Sequence, residues 1–233
     1  MKASVAQWIG SRTKQEDSYR IHFFPDGVLL LVCDGMGGYH HGDIAADRAA
    51  SAFLHCFSES ELPVTKRLES ALESANREVA RLVEESSQMG GTTLVAAYVG
   101  GGVVRWVSVG DSALFLWRRN RLMRVNADHS MKPLLQKVLS DCEPTSHLLR
   151  SALTGEPLSL VDISAVPIPL LPGDRLILSS DGADVVFNPA KISDEVRQIL
   201  NSGSGREPAD LVDCIRLLCG DSSDNVTILM LDI

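Results

Sequence analysis

The sequence lacks features that mark several large classes of protein. No apolar run approaches the roughly 18 residues that a membrane-spanning helix needs. The N-terminal MKASVAQWIG has no basic segment followed by a long apolar one, so no secretory signal is predicted. Basic residues are outnumbered, since 22 Lys and Arg stand against 30 Asp and Glu, with a net charge of −8 at pH 7. A nucleic-acid-binding surface needs a basic face, and this balance argues against one.

Close cysteine pairs are missing as well. The five cysteines are Cys33, Cys56, Cys142, Cys214 and Cys219, and none stands in the C-x-x-C spacing typical of a zinc or redox site. An odd number of free, mostly buried thiols indicates a reducing compartment, so we expect a cytoplasmic protein. The sequence also has no glycine-rich P-loop, which argues against an enzyme acting on nucleoside triphosphates.

What the chain does contain is a mixture of strand-like and helical patterns. Its 233 residues suit one substantial core, and we expect a single domain over 1–233. Strand-like runs predominate, with a hairpin predicted at the turn PDG, residues 25–27. Helices are predicted over 42–57, 65–87, 190–200 and 207–218. The mixture predicts an α+β fold with mainly antiparallel sheets.

Acidic residues stand at the ends of the predicted strands, most of them beside Gly or Ser. They are Glu16, Asp17, Asp34, Asp111, Asp181 and Asp224. Alternate strand ends lie along one edge of an antiparallel sheet, so these carboxylates are predicted to converge. Converging carboxylates repel one another unless a cation lies among them. A set of oxygen ligands without imidazole or thiolate favours Mg²⁺ or Mn²⁺ over zinc. Taken singly, each Asp is explained equally well as a turn residue.

Short motifs in a fixed order point to one family. RTKQED, VCDGMGG, GGTT, SVGDS, ADHS, LLRSALTG, LILSSDG and SDNVT follow one another from Arg12 to Thr227. Together they resemble the metal-dependent protein serine/threonine phosphatases, the PPM or type 2C family. DGMGG resembles the bacterial branch, because Met36 stands where eukaryotic members usually have histidine. The resemblance implies a four-layer αββα sandwich, in which two antiparallel sheets are flanked by helices.

The resemblance also implies a centre of two Mg²⁺ or Mn²⁺ ions. Asp34 would bridge the two ions, and Gly35 would contribute its backbone carbonyl. Glu16 would help to hold one ion, whereas Asp181 and Asp224 would hold the other. A water activated by the ions would then attack the phosphorus of phosphoserine or phosphothreonine, so no side-chain nucleophile is required.

Further residues receive roles from the same resemblance. Asp111, together with Asp181, matches the residues that hold a third ion in bacterial members. Arg12 would bind the substrate phosphate and, with Asp34, carry the catalysis. Asp17 and Asn225 would support the ligands from behind. The expected partners are phosphorylated proteins and a bacterial Ser/Thr kinase that the enzyme opposes, with no nucleic acid and no membrane, and we expect a monomer.

Several interpretations stay open at this point. A phosphodiesterase or nucleotide hydrolase could use the same two-metal chemistry, and a non-catalytic relative could keep the fold for regulation. His40 and His41 lie near the expected centre, but a water is favoured over either as the proton donor. His129 is predicted to be structural. The basic run WRRNRLMR, residues 117–124, is either a solvated hairpin, which we favour, or a docking surface for acidic phosphopeptides.

Overall fold

Two β-sheets form the centre of the structure, a computed structural model that describes residues 1–36, 41–87, 90–138, 148–220 and 223–233. The strands are β1 (Lys2–Trp8), β2 (Asp17–Phe24), β3 (Gly27–Asp34), β4 (Leu94–Gly100), β5 (Val103–Val109), β6 (Ala113–Arg118), β7 (Arg121–Arg124), β8 (Asp162–Ile163), β9 (Ile168–Pro169), β10 (Arg175–Ser179) and β11 (Val226–Asp232). The helices are α1 (Gly42–Glu59), α2 (Val64–Ser86), α3 (Lys132–Val138), α4 (Asp194–Asn201) and α5 (Glu207–Cys219), with a 3₁₀ turn at Asp181–Ala183.

Both sheets are antiparallel. One has the strand order β1-β11-β10-β6-β7, and the other has the order β2-β3-β4-β5-β8, with β9 also beside β5. The first and last strands pair along their whole length, from Lys2 opposite Asp232 to Trp8 opposite Val226. The predicted α+β class with antiparallel sheets is confirmed.

The apolar core lies in three layers, and strand β3 shows why. Its residues Leu29, Leu31 and Cys33 belong to the core shared with α1 and α2, whereas Val28, Leu30 and Val32 belong to the core between the sheets. Both faces of the strand are therefore covered, which explains why the sequence is continuously apolar here instead of alternating.

The other sheet is covered in the same way. Phe115 and Trp117 of β6 share a core with Val196 of α4 and Leu211 of α5. Leu116, between them, faces the inner core. Helices therefore cover the outer faces of both sheets, and the predicted αββα sandwich is confirmed.

Most predicted elements are present, with shifted bounds. The hairpin around residues 25–27 is confirmed, and the helices predicted over 42–57, 65–87 and 207–218 correspond to α1, α2 and α5. The helix predicted from 190 begins only at Asp194, because Ser193 caps it by accepting a hydrogen bond from the Val196 N–H at 3.2 Å. No helix in the described part of the chain is both long and apolar enough to span a bilayer.

Candidate active site

The end of β3 is fixed by backbone contacts from two directions. The Asp34 N–H donates to Thr93 Oγ1 at 3.1 Å, and the Asp34 carbonyl accepts from the Thr93 N–H and from Thr92 Oγ1, both at 2.9 Å. The Gly35 N–H donates to the Glu16 carbonyl at 3.1 Å. The predicted bridging carboxylate therefore projects from a backbone that is held on both sides.

Gly35 lies where no side chain fits. A Cβ added there would lie 2.4 Å from the Gly42 carbonyl oxygen and 2.7 Å from that of Glu16, closer than real Cβ contacts allow. The glycine lets the start of α1 and the residue before β2 approach the end of β3. Packing therefore requires glycine at this position, independently of any ligand that its carbonyl binds.

Asn225 ties the N-terminal loop to the start of β11. Its Oδ1 accepts from the Glu16 N–H at 2.8 Å, and its Nδ2 donates to the carbonyls of Ile9 and Lys14 at 2.8 and 3.0 Å. The Asn225 N–H donates to Asp224 Oδ1 at 2.7 Å. This buried amide therefore positions the segments that carry Glu16 and Asp224, in keeping with a supporting role.

Asp17 lies opposite Asp34 in the β2–β3 pairing and is buried. Its Oδ2 accepts from Ser180 Oγ at 2.8 Å and from Thr227 Oγ1 at 2.6 Å, while its Oδ1 is buried without a hydrogen-bond partner. Burial raises the pKa of Asp17 to about 7, against the two hydroxyl hydrogen bonds, and the charges of Asp181 and Asp224 raise it further. A carboxylate in this setting favours a nearby cation.

The other carboxylates act on one another in the same way. Desolvation raises the pKa of Asp34 well above its usual value, and so do the charges of Asp17, Asp181, Asp111 and Asp224. Desolvation and the charge of Asp181 raise the pKa of the buried Asp111 to about 7. The structure thus brings these predicted residues to one pole of the sandwich, which we call the acidic pole.

Glu16 belongs to the same pole. Desolvation raises its pKa, and the charges of Asp43 and Asp224 add to the rise, against the opposing charges of Arg12 and Lys14. In the described part of the chain, no three His, Cys, Asp or Glu side chains are grouped so that they could hold a metal ion. The carboxylates therefore lie at the same pole, but they do not surround a single ready-made position for a metal ion.

The chemistry of this donor set fits a hard divalent ion. Every predicted side-chain ligand is a carboxylate, Asp17 leaves one buried oxygen without a partner, and burial together with neighbouring carboxylates raises the pKa values of Asp17 and Asp34. Oxygen donors of this kind suit Mg²⁺ and Mn²⁺. The residues that are present therefore fit the expected cofactor.

Arg12 lies at the mouth of the pole. Its guanidinium donates to Asp224 Oδ2 at 2.7 Å, and both side chains are exposed. A cavity of about 360 Å³ lies beside this pair and is lined in part by Asp181, Gly182 and Val185. The predicted phosphate-binding residue thus faces an open cavity next to two predicted metal ligands.

Two residues at this pole were missed from the sequence. Lys132, the first residue of α3, donates to Asp184 Oδ2 at 2.9 Å. Asp184 directly follows the 3₁₀ turn that begins at Asp181. A signal was available, because a lysine in the first turn of a helix opposes the helix dipole and so suggests an acidic partner.

The histidines and the basic run are settled in part. His129 Nδ1 accepts from the Gly110 N–H at 3.3 Å, so the predicted structural role is confirmed. His41 stands at the start of α1, whereas His40 lies outside the described residues.

In the basic run, residues 117–124, β6 and β7 form a hairpin across Arg119 and Asn120, which have positive φ. Its use for docking stays a prediction.

The sequence matches one family model over most of its length. Residues 7–216 match the family described as Protein phosphatase 2C. The serine/threonine phosphatase stp of Listeria welshimeri serovar 6b is 27% identical over 220 residues, which cover 88% of this chain and 84% of that protein. The match thus extends from the last two residues of β1 to most of α5.

Solved structures give the same result for the fold. The PPM Ser-Thr phosphatase MsPP from Mycobacterium smegmatis, in complex with cacodylate, has a TM-score of 0.81 at 27% identity, covering 100% of this chain and 98% of that one. The catalytic domain of the serine/threonine protein phosphatase PstP, in complex with two manganese ions, has a TM-score of 0.76 at 27% identity, covering 99% and 97%.

Proposed function

Because this chain belongs to the protein phosphatase 2C family, as a bacterial member, we propose that it hydrolyses phosphoserine and phosphothreonine monoesters at a centre of two Mg²⁺ or Mn²⁺ ions. It is a metal-dependent protein serine/threonine phosphatase. The observation that carries the proposal is the acidic pole around Asp34, with the exposed guanidinium of Arg12 beside it. The pole offers ligands for cations, and the arginine offers a site for the phosphate that those cations would help to neutralise.

The proposed ligands follow the positions of the acidic residues. Asp34 would bridge the ions, with the Gly35 carbonyl and Glu16 on one side and Asp181 and Asp224 on the other. When bound, the two ions supply a nucleophilic water near neutral pH and offset the charge of the phosphate. Asn225 holds Glu16 and Asp224 close together, because its side chain accepts from the Glu16 N–H and its own N–H donates to Asp224 Oδ1. Asp17 supports the pole from behind, held by Ser180 and Thr227.

Arg12 would exchange partners when substrate binds. Its guanidinium now donates to Asp224, which is itself a proposed ligand. A phosphate offers two oxygens to the planar guanidinium, so the arginine gains a bidentate partner while Asp224 becomes available to a cation. Arg12 would thus hold the phosphate in a fixed orientation at the mouth of the acidic pole.

Direct attack by water is favoured over a phosphorylated enzyme. Cys33, the thiol next to Asp34, is fully buried, and burial followed by the charge of Asp34 raises its pKa, opposed in part by Arg20. A buried neutral thiol is a poor nucleophile. Met36 cannot donate a proton, so the leaving oxygen is expected to take its proton from water.

The cellular setting belongs to the proposal as well. We propose one catalytic domain over residues 1–233 that acts as a monomer in the cytoplasm on phosphorylated proteins. A kinase that phosphorylates the same serines and threonines is the expected opposing partner.

The decisive experiment measures hydrolysis of a phosphothreonine peptide and of p-nitrophenyl phosphate. We expect turnover with Mn²⁺, none with excess chelator, and none in Asp34→Asn at any Mn²⁺ concentration. Asp213→Asn, an exposed acidic residue of α5, is the matched control and should keep full activity. Without metal, Asp34→Asn should melt slightly above the parent, because it removes one charge from the acidic pole.

Three outcomes would contradict the proposal. Turnover that survives the chelator would exclude a metal centre. Hydrolysis of bis-p-nitrophenyl phosphate in preference to the peptide would indicate a phosphodiesterase. A folded protein without activity on any phosphopeptide would indicate a regulatory relative that has kept the fold.

A further inference from the structure

Lys132 pairs with Asp184, and it lies within electrostatic range of Asp111 and Asp181, the two carboxylates that the family resemblance assigns to a third ion. We infer that the Lys132 ammonium takes the place of that ion, pairing with Asp184 and offsetting part of the negative charge of Asp111 and Asp181, so that this chain binds no third divalent cation. The inference rests on the proposed function for the identity of the first two ions. It differs from that function in assigning a fixed internal cation to the acidic residues around Asp181.

The contact that carries the inference is direct and largely shielded. Lys132 Nζ donates to Asp184 Oδ2 at 2.9 Å, and the lysine side chain is only 19% exposed. Asp184 is linked to Asp181 through the 3₁₀ turn, where the Asp184 N–H donates to the Asp181 carbonyl at 2.9 Å. The ammonium is thus attached to the same turn that presents Asp181.

The segment that carries Lys132 is anchored to the strand end that carries Asp111. The His129 N–H donates to the Gly110 carbonyl at 3.1 Å, and the Gly110 N–H donates back to His129 Nδ1 at 3.3 Å. Ser130 Oγ then accepts from the Lys132 N–H at 3.2 Å. The lysine backbone is therefore placed by the β5–β6 connection itself.

The charges agree with this geometry. Desolvation would lower the pKa of Lys132, but Asp184, Asp181 and Asp111 together raise it, so the amine is protonated. In turn, the charge of Lys132 offsets part of the rise in the pKa of Asp111 that burial and Asp181 cause. All three carboxylates are thus within electrostatic range of the one ammonium.

A third divalent ion does not fit beside this lysine. The ion would need Asp111 and Asp181 as ligands while a protonated amine stood among the same carboxylates, and like charges at short range repel strongly. A lysine also brings three donors and no acceptor, so it cannot become a ligand while it is charged. We therefore expect that no third ion takes part in the reaction of this chain.

The test counts Mn²⁺ ions bound per chain at saturation, by equilibrium dialysis and elemental analysis of the full chain without substrate. We expect Lys132→Gln to bind one ion more than the parent. Lys132→Arg, which keeps the charge, should bind as many ions as the parent. Lys66→Gln, which removes an exposed lysine of α2, should do the same.

Two further variants test where the additional ion binds and whether the loss of the lysine charge is what admits it. Asp111→Asn combined with Lys132→Gln should return to the parent count. Lys132→Met repeats the charge removal in a side chain of similar length, and a melting curve for each variant checks that it is folded.

Equal counts in the parent and in both neutral variants would overturn the inference, as would an additional ion that persists in the double variant. The difference between variant and parent tests Lys132 alone. The parent count itself tests the proposed centre of two ions, so failures of the two proposals are distinguishable.

Discussion

At the scale of one residue, the contribution of Arg12 to the stability of the fold can be separated from its proposed role in the site. Its partner Asp224 is also exposed, with side-chain exposures of 46% and 40%. Exposed pairs of this kind contribute about 0–1 kcal/mol to stability. The pair therefore adds little to the stability of the fold, which agrees with the proposed role of Arg12 in binding phosphate.

We predict that Arg12→Ala raises KM for a phosphopeptide by about 10- to 150-fold, the equivalent of about 1.5–3 kcal/mol for a charge-assisted hydrogen bond. Steady-state kinetics at saturating Mn²⁺ measure this change. Arg12→Lys is the matched variant and should recover part of the affinity, because it keeps the charge but loses the planar fork. An unchanged KM in Arg12→Ala would remove this residue from the phosphate site.

The positions of the acidic residues could be predicted from the local sequence, but the lysine that balances part of their charge could not. Asp34, Asp111 and Asp224 each mark a boundary between an apolar run and small residues, which is visible within a few positions of the chain. The position of Lys132 in the first turn of a helix suggests an acidic partner, but no local pattern identifies that partner as Asp184, which lies 52 positions further along the chain. Sequence therefore predicted where negative charge collects, but not how the protein balances it.

At the scale of elements, α1 and α2 meet the sheet around the Arg67 side chain. The guanidinium lies over the Phe57 ring at 4.0 Å and is 5.5 and 5.8 Å from the ring centroids of Phe24 and Tyr98. Arg67 Nε also donates to the Phe57 carbonyl at 3.0 Å, near the end of α1. One side chain thus connects both helices to β2 and β4.

We predict that Arg67→Ala lowers the free energy of unfolding by about 2 kcal/mol, from the loss of cation–π contacts and one hydrogen bond. Arg77→Ala, on the exposed side of the same helix, should change it by less than about 0.5 kcal/mol. Urea denaturation compares the two. Equal losses in both variants would mean that the aromatic cluster does not depend on Arg67.

Element types were predictable where both faces of a strand or one face of a helix are buried. The segment SLVDISAVPI, residues 159–168, has the apolar pattern of one strand, but the structure has two short strands here, β8 and β9, at the sheet edge. Here the Asp162 side chain accepts from Trp106 Nε1 at 3.0 Å and from the Ala127 N–H at 2.9 Å. Just after β8, Ser164 Oγ accepts from the Trp106 N–H at 3.1 Å, so a side chain occupies a backbone donor that a longer strand would use.

At the scale of the molecule, Arg175 joins the last three elements of the chain to β10. Its guanidinium contacts Glu207 Oε1 at 3.0 Å, Asp232 Oδ1 at 2.8 Å and the Leu200 carbonyl. Glu207 is 1% exposed. Burial alone would raise the pKa of Glu207, but hydrogen bonds and the charge of Arg175 outweigh it, so the pKa is lowered.

A lowered carboxyl pKa gives a defined dependence of stability on pH. The folded state binds fewer protons than the unfolded state at this site, so the stabilisation is present above the usual value of 4.5 and is lost as pH falls below it. We predict that Glu207→Gln flattens this part of the profile, measured by urea denaturation between pH 3 and 6. Asp213→Asn, on the exposed side of α5, should leave the slope unchanged; an equal effect in both variants would assign the slope to net charge.

The full-length pairing of β1 with β11 determines the direction in which the two chain ends leave the molecule. Trp8 and Val226 lie near the acidic pole, whereas Lys2 and Asp232 lie at the other end of strands about 20 Å long. A sensor, anchor or tag joined at either end would therefore emerge at the opposite pole from the catalytic one, beside its counterpart. The fold separates the proposed phosphate site from the place where the protein can be tethered, and a short linker could close the chain into a ring there without crossing the cavity beside Arg12.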